Sequence, residues 1–554
     1  MRRLALIAAF AALSTVLSSF TIHLTGDSTM ADKDIKGGTN PERGWGMMFP
    51  NFLDEGVDVV NYAKNGRSTK SFIDEGLWDK VLGNLKEGDY VFIQFGHNDS
   101  KQSDSVRYAA PWGAYKANLE KFVLQTREKG GKPVLLTPVA RRWFKEGGLD
   151  RNCHGDYPIV MKKVAEELNV PLLDMTSVTL DWLEGLGDEG SRPYYMISTG
   201  KSDNTHTVAR GARKLAEMTC TEIRKSLPEI AEHLIHYDIV VDKNGFGDYF
   251  TIQEAINAVP DYSHEKITTI LVREGIYKEM VTIPHNKFRI KISGQGADKT
   301  VLTYDKYAEK LWPDSDFKMG TSGSATIYMH SSYVTIEDMT IENSAGEGKE
   351  IGQAVAVFTD GDFIFFHRCR LIGNQDTLYT YGRYGKDGGI KRNYFLDCYI
   401  EGTTDFIFGP SIAYFENCTL HSKKNSYVTA ASTLKGEKYG YVFKKCRLTA
   451  AEGIDKCYLG RPWGAYAKTV FIECELGNHI LPEGWHDWEK PGKPDTKKNS
   501  YYAEYKNFGP GAAGKKERVK WSRQLTAKQA AEYTFEKVMY QKNDGIVWDP
   551  FNNK

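Results

Sequence analysis

Two hydrophobic rhythms run along the chain. Up to about residue 230, short apolar runs such as "VDVVNYA", "YVFIQFG", "KPVLLTPV" and "VPLLDMT" alternate with longer stretches, "GAYKANLEKFVLQTREKG" and "TVARGARKLAEMTCTEIRKSL", whose apolar residues recur at helical spacing. Such alternation predicts a parallel sheet covered by helices. From about Tyr237 onward the pattern changes to short β-branched and aromatic runs divided by turns, so a boundary is expected between residues 228 and 237. The length, 554 residues, agrees: it is too long for one ordinary core, and two domains, 19–230 and 237–552, are expected.

The second rhythm also repeats. "YVTIEDMTIEN", "FIFFHRCRLIG", "NYFLDCYIEG", "AYFENCTLHS", "YVFKKCRLTA" and "TVFIECELGN" align so that Asp338, Cys369, Cys398, Cys418, Cys446 and Cys474 share one place, at separations of 20 to 31 residues. Units of that size, nearly all strand and turn, predict coils stacked as a right-handed parallel β-helix. Five of the eight cysteines then form a ladder along one wall, with neighbours ~4.8 Å apart. A disulfide wants Cβ atoms nearer ~3.8 Å, so buried free thiols are expected. With no CxxC or Cys/His cluster in the sequence, no metal site is expected either.

Composition narrows the setting. The first residues, "MRRLALIAAFAALSTVLSSF", join two arginines to an apolar stretch that ends in small residues, and residues 1–18 read as a secretory signal. No later run reaches the ~20 apolar residues of a membrane span. Lys plus Arg and Asp plus Glu are both 72, which gives no pointer to nucleic acid or an anionic membrane. A secreted or periplasmic protein is expected.

Register places the first candidate chemistry. Asp376 lies seven residues after Cys369, and Asp405 seven after Cys398, so coils in register set the two carboxylates side by side, one strand spacing apart. Either alone reads as a turn-capping Asp. Together they cannot both ionise easily, which leaves a proton donor beside a nucleophile. Gln375 and the aromatic residues Tyr379, Phe406 and Phe408 flank the pair, an arrangement suited to acyl transfer at an ester.

This half resembles the pectin methylesterases, through "DKNGFGDYFTIQEAINAVP", "REGIYKE", "GSAT", "IENSAG", "GQAVAV", "QDTLY", "DFIFG", "YLGRPW" and "AEYKNFGPGA" in order. The resemblance implies that Asp405 attacks the methyl-esterified carboxyl carbon of a galacturonate unit while Asp376 protonates the departing methanol. It further implies Gln353 and Gln375 as oxyanion donors and Arg461 as the cation that orients Asp405. Trp463, Phe406, Phe408 and Tyr379 would line the sugar groove. Two other readings stay open: a β-helix that only binds pectin, and one that hydrolyses another ester or thioester.

The first half offers a second constellation. "IHLTGDSTM" sets Ser28 directly after a strand, with Gly26 allowing a sharp turn, and "DNTHT" brings Asp203 and His206 three residues apart at the start of a helix. A serine, an imidazole and a carboxylate are the parts of an activated nucleophile. Gly66 in "NGRS" and Asn98 in "FGHND" can join the Ser28 N–H as oxyanion donors. These blocks resemble the SGNH (GDSL-like) hydrolases, most closely the rhamnogalacturonan acetylesterase branch. The resemblance implies a flavodoxin-like three-layer parallel sheet, Ser28 as nucleophile, His206 as base and Asp203 as its orienting acid. An exported bifunctional esterase is expected, deacetylating (rhamno)galacturonan with one half and demethylating homogalacturonan with the other. Its partner is pectin, and neither mechanism calls for a metal or an organic cofactor.

Overall fold

The computed structural model describes residues 20–146, 148–382, 391–488, 495–540 and 548–552, so the leader read at 1–18 lies outside the described residues. The chain divides into two compact units between His236 and Tyr237.

The first unit is built on strands β1 (Phe20–Gly26), β2 (Val57–Asn61), β3 (Tyr90–Gln94), β4 (Lys132–Leu136) and β5 (Leu172–Leu173). They pair in the order β2-β1-β3-β4-β5, every pair parallel. All five residues of β3 are buried, as a strand covered on both faces requires. Its side chains alternate between two cores: Phe92 packs with Ile22, Val134 and the helix α3 (Ala209–Ser226), whereas Val91 and Ile93 pack with Leu135 and the helices α1 (Lys116–Glu128) and α2 (Tyr157–Glu167). The sheet therefore carries helices on both faces. Because β1 lies between β2 and β3, the strand order reverses there, and the crevice beyond its carboxyl end is where such sheets bind ligands.

The second unit is a parallel β-helix. Among the described residues three parallel sheets of 11, 8 and 7 strands run along it, and one coil gives a strand to each, as Val357–Thr359, Ile364–His367 and Arg370–Ile372 do. Coil stacking fills the interior with like on like. Phe366, Phe395, Phe415, Phe443 and Phe471 stack face to face, successive ring centres 5.0, 4.6, 4.4 and 4.3 Å apart. Three residues after each comes a ladder cysteine, buried and free, whose thiol donates to a carbonyl of the preceding coil: Cys398 to Phe366 at 3.4 Å and Cys418 to Phe395 at 3.4 Å.

The first rung is Met339, not Asp338. Pairing of Val334–Glu337 with Ile364–His367 aligns Asp338 with Arg368 and Met339 with Cys369, and Met339 is buried in the core. Asp338 instead begins a second ladder, the residues just before each rung. Asp338, Arg368, Asp397, Asn417, Lys445 and Glu473 all take left-handed backbone, φ 50° to 56°, to turn the corner between two sheets. The polarity of that corner hides the shift by one residue in the sequence.

Two candidate active sites

In the β-helix, Asp376 and Asp405 stand just before the strands Leu378–Thr380 and Ile407–Gly409, which pair Leu378 with Ile407 and Tyr379 with Phe408. That register sets the two aspartates at the same place on adjacent coils, and the Asp376 N–H donates to the Thr404 carbonyl at 3.1 Å. Both have left-handed backbone, φ 67° and 48°, which Asp adopts more readily than most residues and which often marks functional sites.

Their electrostatics differ. Arg461 forks onto Asp405, with Nε to Oδ1 at 3.0 Å and Nη2 to Oδ2 at 2.6 Å, a charge-assisted bidentate pair. The guanidinium is itself clamped between the rings of Tyr427 and Trp488, 3.9 and 4.0 Å from their centres. Asp376 is buried; burial first, then the charge of Asp405, pushes its carboxyl well above the ordinary range, with Arg461 opposing. One carboxylate is thus held by a cation and its neighbour is driven to keep a proton.

An open cleft of about 680 Å³ surrounds the pair and brings in Gln353, Gln375, Tyr379, Phe408, Arg461 and Trp463. Tyr379 and Phe408 stack with centres 4.1 Å apart, and Trp463 packs at 5.9 Å from Phe408. The cleft does not include Phe406, which is fully buried with Ile407 in the β-helix interior. The reason is the left-handed turn at Asp405: it breaks the two-residue alternation, so Phe406 and Ile407 both point inward and Phe408 points out. Trp488, Tyr427 and the 319–322 loop belong to the site and were not expected from the sequence. The only trace of Trp488 there is an aromatic residue in "WHDWEK".

In the first unit, His206 Nε2 lies 2.8 Å from Ser28 Oγ and His206 Nδ1 lies 2.8 Å from Asp203 Oδ2. Asp203 Oδ1 also accepts from the N–H groups of Thr205 and His206. Burial opposes its charge, yet these hydrogen bonds and the imidazole hold its carboxyl below the ordinary value. Asp203 and His206 sit in the loop before Thr207–Val208, which pairs with Glu42–Arg43, and α3 starts only at Ala209. A short bridge, not a helix start, fixes them. Gly26 likewise is the last residue of β1 without positive φ; its role is room, since a Cβ there would meet the Gln94 carbonyl at 2.8 Å.

Gly66 and Asn98 follow β2 and β3, the strands that flank β1. Gly66 takes φ 77°, and Asn98 Nδ2 donates to the Arg67 carbonyl at 3.0 Å, which ties the two loops together. An amide nitrogen carries two hydrogens, so one remains for a ligand. Lys33 Nζ connects this corner to the serine by donating to the Ser28 carbonyl and to Asn65 Oδ1. Arg141 bridges the His97 carbonyl and Thr205 Oγ1, joining the β3 loop to the histidine loop. Neither cation was singled out in the sequence, where each reads as a surface charge.

Comparison with known proteins agrees with this geometry. The Pectinesterase family model matches residues 238–543, and the GDSL-like Lipase/Acylhydrolase family model matches 24–214. Pectinesterase 31 of Arabidopsis thaliana is 37% identical over 297 residues, 53% of this chain and 89% of that protein. Putative pectinesterase 11 of the same plant is 38% identical over 299 residues, 53% of this chain and 77% of that protein. The solved pectin methylesterase from carrot superposes with a TM-score of 0.50 at 30% identity, over 55% of this chain and 94% of the carrot chain. The chain belongs to the pectinesterase family, carries a GDSL-like acylhydrolase domain ahead of that match, and is a carboxylic ester hydrolase.

Proposed function

We propose that the protein removes two kinds of ester from pectin, methyl esters of homogalacturonan in the β-helix and acetyl esters of (rhamno)galacturonan in the first unit. The observation that carries the reading is the asymmetry of the carboxylate pair: Asp405 forked by Arg461, and Asp376 pushed toward its protonated form.

In the β-helix, the Asp405 carboxylate attacks the ester carbonyl carbon, and the Gln353 and Gln375 amides stabilise the oxyanion. Among the described residues neither amide is engaged in a side-chain hydrogen bond, so both are free to donate. The C–O bond to methoxide breaks as Asp376 delivers its proton, and methanol leaves. Water then attacks the acyl-enzyme, Asp376 takes back a proton, and the acid product departs with Asp405 regenerated. Tyr379, Phe408 and Trp463 line the groove, and Arg461 orients the nucleophile.

In the first unit, Ser28 attacks an acetyl carbonyl as His206 accepts its proton and Asp203 stabilises the imidazolium. The N–H groups of Ser28 and Gly66 and the Asn98 amide receive the oxyanion. The proton passes from His206 to the departing sugar hydroxyl, and water releases acetate by the reverse steps. The fold is read as the SGNH type, consistent with helices on both faces of the β2-β1-β3-β4-β5 sheet, and the β-helix as right-handed. No helix among the described residues is long and apolar enough to cross a membrane.

Methanol and acetate released from methylated, acetylated pectin by wild type, Ser28→Ala and Asp405→Ala proteins test the reading. Ser28→Ala is expected to abolish acetate alone and Asp405→Ala methanol alone. Methanol release that survives Asp405→Ala, or acetate release that survives Ser28→Ala, overturns it for that unit.

A further inference from the structure

Two to four coils upstream of the Asp405 coil, the β-helix gathers a different set of side chains. His285, His330 and Asp360 each offer a ligand atom, and these atoms lie within 4.8 Å of one another. The residues are 45 and 30 positions apart, so no local motif marks them. Stacking collects them instead. The strands Val281–Ile283, Ile327–Met329 and Val357–Thr359 are successive members of the 7-stranded sheet, with Ile283, Met329 and Thr359 in register. His330 and Asp360 directly follow their strands, and His285 follows its own by two residues.

We propose that His285, His330 and Asp360 form a binding site for a divalent transition-metal ion of the zinc class, with three protein ligands and the remaining coordination open to solvent. Two imidazoles and one carboxylate are a borderline-soft donor set, suited to zinc and its neighbours and not to calcium or magnesium, which take oxygen ligands. The geometry is nearly set. Metal–ligand bonds of about 2.0–2.2 Å in a tetrahedron place donors about 3.4 Å apart, and His330 Nδ1 already stands 3.5 Å from Asp360 Oδ2. His285 is exposed, with its ring 5.5 Å from that of His330, so only a surface side chain has to swing to complete the set.

The other two ligands are held. The His330 N–H donates to the Ile283 carbonyl at 3.0 Å and the Asp360 N–H to the Met329 carbonyl at 2.8 Å. The His330 ring stacks on Tyr328 at 6.1 Å and leans on Phe358 at 5.9 Å. Ligands mounted on ladder-bonded strands and braced by packing lose little freedom on binding, which favours affinity. The site is distinct from the carboxylate pair. Asp376 precedes its strand by two residues, whereas Asp360 follows its own by one, so the two sites occupy opposite ends of the strands of this sheet.

Zinc chloride titrated by calorimetry into the chelator-treated full-length protein, in a non-coordinating buffer, tests the proposal. Cobalt chloride followed by visible absorption reports the ligand set. One ion per chain is expected. His285→Ala, an exposed substitution that leaves the fold intact, should weaken it ~10-fold or more, and His285→Ala with Asp360→Asn ~100-fold or more, as losses of ligation do. Undiminished affinity in the double variant, or the absence of any one-equivalent binding in wild type, overturns it. Methanol release from the same samples shows that the variants are folded.

Discussion

The two units reach ester hydrolysis from opposite ends of chain organisation. In the first, every participant is a different residue type, drawn from four separate loops with only Asp203 and His206 sharing one, and the contact from Ser28 to His206 spans 178 positions. It exists because β1 sits where the strand order reverses and the flanking loops converge. In the second, Asp376 and Asp405 are the same residue at the same place on consecutive coils. Stacking a repeat brings like next to like: burial raises the Asp376 carboxyl, the Asp405 charge beside it raises it further, and the pair gains the asymmetry that a proton donor and a nucleophile need. A triad has to import an imidazole for that purpose. Repetition favours coupled pairs, whereas a sheet edge favours complementary ones.

The sharpest way to break that comparison is to remove one proposed nucleophile at a time. Ser28→Ala and Asp405→Ala should each lower one activity by ~10³-fold or more and leave the other within about twofold, because each unit has its own core and its own site. Linked loss of both products would show that the units do not work independently. Arg461→Lys comes next. It keeps the charge but loses the two-pronged fit to Asp405 and the flat contact between Tyr427 and Trp488, so methanol release should fall by ~10–100-fold, mainly in kcat. A drop confined to KM would reassign Arg461 to substrate binding.

How far each site could be read from the sequence follows the same division. The carboxylate pair was legible because the cysteine spacing is the coil period, so counting seven residues from Cys369 and Cys398 reached Asp376 and Asp405 without any structure. The same count misplaced the first rung at Asp338, since a polar corner residue and the Met339 core residue are neighbours and only pairing separates them. The stacked Phe-x-x-Cys of five coils was equally visible and marks the core side of the register. The triad was legible as blocks, but Lys33 and Arg141, which tie the loops together, carry no signal because their partners are backbone carbonyls and distant side chains. The His285, His330 and Asp360 cluster is invisible for that reason too.

Phe406 and Phe408 sharpen the register argument. Period-two alternation places both in the groove, whereas the turn at Asp405 sends Phe406 inward. Phe406→Ala should therefore cost about 3 kcal/mol of β-helix stability by leaving a cavity, with KM for methylated pectin little changed. Phe408→Ala should do the reverse, raising KM several-fold through loss of groove surface while unfolding shifts less. Denaturant midpoints and initial rates on the two variants decide it, and a KM rise in Phe406→Ala with unchanged stability would return that ring to the groove.

The smallest expected effect distinguishes the two buried acids by cause. Burial, then the Asp405 charge, raises Asp376; in the first unit burial pushes Asp99 up to about 7, against its hydrogen bonds from Thr69 and with a further push from Asp27. In both cases the folded state keeps a proton that the unfolded chain has released, so each unit loses stability as pH rises from the ordinary carboxylate value through the raised one. Asp376→Asn removes that loss and should raise the β-helix Tm at neutral pH by about 1–3 °C while methanol release disappears. Asp99→Asn should flatten the slope of the first unit between about pH 4 and 7 and leave the β-helix untouched. The discriminating variant is Asp405→Asn. It withdraws the charge that helps raise Asp376, so the β-helix pH profile should move to lower pH, whereas the profile of the first unit, governed by Asp99, stays in place. Calorimetric scans across pH on wild type and these variants test the scheme, and a β-helix profile unmoved by Asp405→Asn would mean that burial alone holds the Asp376 proton and that the pair is not electrostatically coupled.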